Sequence, residues 1–567
     1  MFDADPWFTR RRVFGALLAI AVLALVLRLF GLGGRIAHWD EARVAYWTLR
    51  YHDLGVFEYH PVVHGPFLFH VNETIFGLFG ASDVTMRLIV AVIAGISPLA
   101  VWLYREHLTS IEMVVMAGLL MINPVLLYYG RFARNDVILA VAMLFAFGFL
   151  LRAYDTRKTV YLYPMMIALA LGFAMKENAL LYLMCWGGAA VAVIGHRIGY
   201  EHIIRTYTDR TPRSWNVRHT WRQWLPDNPR LVARDGLLSL GAGLAILVYF
   251  YAPRGTDEPA PADLLTEPWQ LPALIEASLI EGARRLYNHW ISGGRGPDYF
   301  DSLWFYIDVI AAGALIVVIF AVVGVIYDHW RDEGPRWLLI FALAWGLLSV
   351  GGYPYAGTIN APWLVAHMVV PLTIPAAVGL GMLIEDVVVG VDQSDLIQAG
   401  GAGLILLAAV GLILMPAYGL VYEDPTGGDN ELVQFAQPGG DWNDTIERMH
   451  DLIDHNEDGP DVLYVGDQFY TDDRDGERYK QAGAGWYDRL PLPWYTEQVG
   501  GVTVSEQSIS EIITVIEEDE PPVVIVGADD TGFVEERLEG YEVREHELRR
   551  GAFDIHIYLD LDRLDNE

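Results

Sequence analysis

Lysine is nearly missing from this 567-residue chain: only Lys158, Lys176 and Lys480 are lysine, and the other 36 basic residues are arginine. A single cysteine, Cys185, lies in an apolar run, so no intramolecular disulfide forms and any soluble part rests on its core alone. Basic footprints are scarce too. The one arginine-rich stretch lies between apolar runs, which disfavours a nucleic-acid partner, because phosphate binding needs a basic surface. What the chain has in excess is apolar residues, 53%, together with a formal net charge of −32. One soluble domain does not combine the two, so they sit on different parts. From Ala417 to Glu567 there are 38 acidic against 10 basic residues, a net of −28, which leaves −4 for residues 1–416. An acidic surface that avoids lysine is typical of proteins in high salt, where charge repulsion is screened, and we read a halophilic source. The competing reading is an acidic tail for a basic partner.

A membrane span needs roughly 20 apolar residues, somewhat fewer with aromatic anchors. Eleven spans are expected, at 13–33, 86–104, 111–129, 136–152, 160–175, 178–195, 235–252, 303–327, 336–352, 363–384 and 398–417. Arg10, Arg11 and Arg12 before the first give a partial twin-arginine look, but the long apolar run and the spans that follow indicate a retained helix. Arginines at the N-terminus and in the 197–234 loop, six spans apart, put both inside; an odd total then puts the acidic tail outside. Segments 34–85, 130–135, 176–177, 253–302 and 353–362 become the outer connections. In the span interiors, away from their ends, only Arg28, Asp308 and His367 are ionisable, which disfavours an ion-coupled transporter and points to chemistry at a membrane face. The expected fold class is a polytopic α-helical membrane protein, residues 1–417, followed by an acidic soluble α/β domain, residues 418–567. In the latter, short strands at 462–465, 502–504, 523–526 and 555–559 alternate with helical segments at 444–453 and 506–516. It shows neither a phosphate-binding glycine loop nor metal-ligand spacing, so a binding or structural role is expected of it.

The candidate chemistry lies in the outer connections. Asp40 and Glu41 follow the first span; locally, Asp40 suits an N-cap and Glu41 the first turn of the next helix. His60 and His64, four apart, suit a metal or a phosphate if they share a helical face, although Pro61 intervenes; each is equally an ordinary hydrogen-bonding histidine. Arg131, Arg134, Asn135 and Asp136 stand at the start of span four, where the arginines either snorkel or fork onto a phosphate, and Asn135 and Asp136 either cap the span or the acid faces a sugar. Lys176, in a chain that avoids lysine, either contacts phosphate or pairs with Glu177. His289, Arg295, Tyr299 and Tyr355 complete the set as donor- or acceptor-binding candidates, each also an ordinary interfacial residue.

Taken jointly, the Asp-Glu pair, the His64-Gly-Pro-Phe-Leu segment, the Arg-x-x-x-Asp loop, Lys176 and the Pro362-Trp-Leu turn resemble the GT-C glycosyltransferases over about residues 10–417. These multi-spanning enzymes use polyprenyl-phosphate sugars. The likeness is nearest to the protein-mannosyltransferase and aminoarabinose-transferase branch, and within it to the haloarchaeal flippase-associated group of the N-glycosylation pathway. The resemblance implies transfer of a sugar from a polyprenyl (dolichyl) phosphate to a glycan, glycoprotein or glycolipid acceptor at the outer face of the lipid bilayer. Asp40 would be the general base, with Glu41 orienting the loop and Asp136 facing the sugar or supporting the base. Lys176 with Arg131 or Arg134 would stabilise the leaving phosphate. No cofactor is certain; a divalent metal is left open, with Asp40, Asp136, His60 and His64 as its candidate ligands. One departure is that Ala356-Gly357 follows Tyr355, where family members often carry charged residues. The alternative from another class is a non-enzymatic membrane protein that assists movement or presentation of a lipid-linked sugar.

Overall fold

The computed structural model describes residues 10–61, 64–207, 229–288, 296–331, 334–357, 359–471, 483–528, 531–550 and 552–565. Among them eight helices are long and apolar enough to cross a membrane: Arg10–Leu29, Asp83–Tyr104, Asn135–Thr156, Ala179–Tyr200, Pro229–Tyr251, Trp337–Ala356, Pro362–Asp392 and Leu396–Glu423. This is a multi-pass membrane protein. Two further expected spans are shorter helices. Ser110–Ile122 breaks at Asn123-Pro124 and resumes as Pro124–Tyr129, and the other is Thr159–Met175. The expected 303–327 span is instead two helices, Tyr299–Gly313 and Leu315–His329, meeting at 90°. The apolar run there is continuous, so the break comes from packing: Asn123 Nδ2 donates to the Gly313 carbonyl at 3.0 Å, and a Cβ on Gly313 would come within 2.7 Å of Val125.

Small residues set the tightest helix contact. A Cβ on Gly324 would collide with the Pro375 carbonyl and one on Gly379 with the Phe320 carbonyl, so Leu315–His329 and Ala366–Asp392 pack backbone against backbone. Away from the site, Arg336 ties loops together through Glu112 at 2.8 Å and Asp328 at 2.6 Å.

The C-terminal sheet has the order β2-β1-β3-β5-β4. Strands β1 (Val462–Val465), β2 (Thr503–Glu506) and β3 (Val523–Gly527) run parallel; β5 (Phe553–Leu559) pairs antiparallel with β3 on one side and with β4 (Glu542–Arg549) on the other. Alternation sorts the side chains. Leu463, Val465, Val524 and Val526 pack with Ile512 and Ile516 of the Ile509–Glu518 helix. Val462, Tyr464, Val523 and Ile525 face Met449 and Leu452 of Asn443–His455, and this core continues into the membrane body. Strand β4 was not expected from sequence: Glu542-Val-Arg-Glu-His-Glu-Leu-Arg is an edge strand whose charges stay in water, so it lacks the apolar signature of the others.

Candidate functional site

The Trp39–Leu54 helix starts in an unexpected way. His38, not Asp40, is its N-cap: His38 Nδ1 accepts from the Asp40 amide at 3.0 Å, and Glu41 accepts from the His38 amide at 3.0 Å. A ring nitrogen that accepts carries no proton, so the proton is on Nε2 and is donated to Gln434 Oε1 at 2.8 Å. Relieved of capping, the Asp40 carboxylate bonds Arg43 through Oδ1 at 2.8 Å and Arg134 through Oδ2 at 3.0 Å. Burial alone would raise its pKa, but Arg134 and Arg43 outweigh that and hold the group below the usual carboxylate range.

Glu41 is fully buried and fully satisfied. Arg87 reaches it with Nε at 2.9 Å and Nη2 at 3.0 Å, Arg35 at 2.7 Å and the Ala133 amide at 2.7 Å. These bonds tie the first long loop to the 130–135 turn, and they outweigh burial to keep the carboxyl far below its ordinary value.

Asp136 does not cap its helix either; the N-cap of Asn135–Thr156 is Arg134, with no side-chain cap bond. Its carboxylate is 1% exposed, and Oδ1 accepts from Lys176 Nζ at 2.7 Å and His367 Nε2 at 3.1 Å. Since Asp136 needs a donor, His367 presents Nε2–H and takes the Tyr182 hydroxyl at Nδ1, 2.7 Å away. Tyr353 stacks on the His367 ring at 4.8 Å. Asp136 Oδ2 and the Tyr353 hydroxyl are buried with no partner among the described residues.

Arg134 joins the two acids' surroundings. Besides Asp40 it donates to His64 Nε2 at 3.0 Å, and its guanidinium lies 4.6 Å from the centre of the Trp363 ring. Because arginine cannot accept, the His64 proton is on Nδ1, which faces Glu177 at 3.8 Å. Glu177 in turn accepts from the Tyr59 hydroxyl. Burial, with Lys176 and Arg134 nearby, pushes the His64 pKa well down, so the ring is neutral. Gly65 permits this arrangement: a Cβ there would run into the Ala174 and Met175 carbonyls, so only glycine lets the loop lie on the end of Thr159–Met175.

Several expectations need correction. Arg131 faces away from the site; its guanidinium is taken by the carbonyls of Leu27, Arg28, Phe30 and Gly31, which end the first helix and lack intrahelical donors. His60 and His64 share no helical face, because His64 has a left-handed backbone (φ 67°); His60 lies 3.6 Å from Glu58. Among the described residues no three of His, Cys, Asp and Glu gather as a metal-ligand group. The carboxylates proposed for a metal are bonded to Arg43, Arg134 and Lys176 instead. Tyr355 is 88% exposed, and Tyr353, two residues earlier, joins the cluster. Tyr299 donates to the Gly351 carbonyl at 3.2 Å. His289 and Arg295 lie outside the described residues. Sequence reasoning missed the roles of His38, Arg43, Tyr182 and His367; only His367 carried a signal, as an ionisable side chain inside a span.

The bundle with its capped, charge-lined end has the GT-C fold of membrane glycosyltransferases. Over 96% of this chain and 98% of the other it matches ArnT from Cupriavidus metallidurans bound to undecaprenyl phosphate, with a TM-score of 0.53 at 14% identity. The oligosaccharyltransferase of Archaeoglobus fulgidus in its apo form matches with a TM-score of 0.50 at 12% identity, over 92% of this chain and 70% of that one. Residues 61–203 match the family model of dolichyl-phosphate-mannose-protein mannosyltransferases, and residues 442–560 that of the Agl23 flippase-associated protein C-terminal domain. Two separate segments thus match family models, one within the membrane body and one within the C-terminal domain. No curated protein matches its sequence.

Proposed function

We propose that the protein transfers a sugar from a polyprenyl (dolichyl) phosphate to a hydroxyl of a glycan, glycoprotein or glycolipid acceptor, in the N-glycosylation of surface glycoproteins. The observation that carries this reading is the convergence of Asp40, Arg134, Asp136 and Lys176 in one buried, charged cluster at one end of a largely apolar bundle. The mannosyltransferase-type segment contains three of the four, and the fold is shared with a protein that binds undecaprenyl phosphate.

In the reaction the acceptor oxygen bonds to the anomeric carbon and the bond from that carbon to the phosphate oxygen breaks, the electron pair leaving with the phosphate. The acceptor proton passes to Asp40, which its two arginines keep ionised. Lys176 and Arg134 offset the charge gathering on the phosphate, and the open Asp136 Oδ2 takes a sugar hydroxyl. The site end and the acidic domain, residues 418–567, face the outside, with the N-terminus cytoplasmic. There the −28 charge of residues 417–567 keeps a salt-bathed surface hydrated.

The test is Asp40→Asn in full-length protein reconstituted with dolichyl-phosphate-mannose and, in parallel, in cells read by glycan mass spectrometry. Loss of transfer by about 10²–10⁴-fold, with membrane insertion and lipid binding intact, is expected. The domain match to a flippase-associated protein favours a second reading, in which the chain only presents a lipid-linked sugar. Unchanged glycans in the Asp40→Asn strain would select it.

A further inference from the structure

Five consecutive residues lead into Asp40, and each bonds to the C-terminal region. Arg35 donates to Gln437 Oε1 at 2.5 Å and the Ile36 carbonyl accepts from Gln437 Nε2 at 3.1 Å. The Ala37 amide donates to the Tyr495 hydroxyl at 2.8 Å, His38 to Gln434 at 2.8 Å, and the Trp39 indole to the Tyr487 carbonyl at 2.8 Å. Tyr495 and Trp494 are themselves pinned by Asp83, each at 2.8 Å. Residues 35–39 form no regular ladder of their own, so without these partners their buried polar groups would be unsatisfied and several backbone geometries would compete.

We propose that the C-terminal domain is part of the transfer site, with Gln434, Gln437 and Tyr495 acting as positioning residues that fix the 35–39 segment and thereby aim the Asp40 carboxylate. Gln434 is the key member. Its Oε1 accepts from His38 Nε2 and from the Ala436 amide, at 2.8 and 2.9 Å. The first bond sets the His38 tautomer whose Nδ1 caps the Asp40 amide. A side chain 396 positions from His38 in sequence therefore decides whether the helix bearing Asp40 begins at Trp39. Chemistry placed within about 0.5 Å needs this kind of support, because small misplacements of a reacting group are costly in rate.

The proposal rests on Asp40 acting in transfer, and the experiment separates the two ideas. Full-length wild type, Gln434→Leu, Gln434→Glu and Arg50→Ala are reconstituted in liposomes. Amide hydrogen exchange of residues 36–46 and transfer from dolichyl-phosphate-mannose are then measured. Leucine keeps the volume and loses the acceptor; glutamate keeps both. Arg50→Ala breaks a docking bond to Glu497 at 3.0 Å without touching the cap. Expected are at least a tenfold faster exchange and a tenfold lower kcat at unchanged KM for Gln434→Leu. Gln434→Glu restores protection, and Arg50→Ala behaves as wild type. Equal exchange in Gln434→Leu and wild type overturns the proposal, as does loss of protection in Gln434→Glu equal to that in Gln434→Leu. Protection that follows Gln434 in a protein without any transfer activity would leave the positioning intact and overturn the proposed function instead.

Discussion

The two ends of the charge distribution obey different physics. In the acidic domain, Arg544 pairs with Asp444 and Glu542, and Arg563 with Asp560, through side chains that are 21–61% exposed, while the strand cores are built mainly of apolar side chains. In the membrane body, Glu41–Arg87 and Asp136–Lys176 have side chains at most 4% exposed. Exposed pairs are screened and worth little, whereas a buried charge that loses its partner keeps its full desolvation cost. Most of the chain's net charge therefore governs solubility, and a few buried charges govern structure and chemistry.

Mutations that unpair each kind of charge sharpen the contrast. Glu41→Gln should cost the most stability, about 3–5 kcal/mol, since Arg87 is left buried without its carboxylate; thermal unfolding in detergent reads it. The pH dependence follows from the same network. Because the folded Glu41 carboxyl is held below its ordinary value, its contribution is complete above the normal carboxylate range and is lost as pH falls through the depressed value. The Glu41→Gln variant should show a flatter acid limb. His367→Leu removes one donor to a buried carboxylate and should cost about 1.5–3 kcal/mol in the same unfolding measurement. Arg544→Ala should change the unfolding midpoint least, by about 0–1 kcal/mol, with the difference fading in high salt. A loss for Arg544→Ala as large as that for Glu41→Gln would break the comparison.

Asp40, Asp136 and Lys176 were legible because a charge beside an apolar run stands out, whatever the fold does with it. Which groups they meet was not. Asp40 has the local pattern of an N-cap, yet His38 takes that place because Gln434 holds its other ring nitrogen. Arg131 and Arg134 look equivalent in sequence; the end of the first helix claims one and Asp40 the other. Tyr353 and Tyr355 differ in role because two residues, 200° of helix, separate a face packed on His367 from an exposed one.

The sequence by itself determined that this is an apolar bundle with an acidic appendage, and that its few ionisable groups collect at span ends, since hydropathy and charge are properties of single residues and their neighbours. Only the tertiary structure decided the helix break at Ala314, the cap of the Trp39–Leu54 helix and the union of the C-terminal domain with the segment bearing Asp40. Each of these depends on a hydrogen bond or a steric contact between segments that are far apart in the chain. Such contacts exist only after helices have packed, and local pattern carries no record of them.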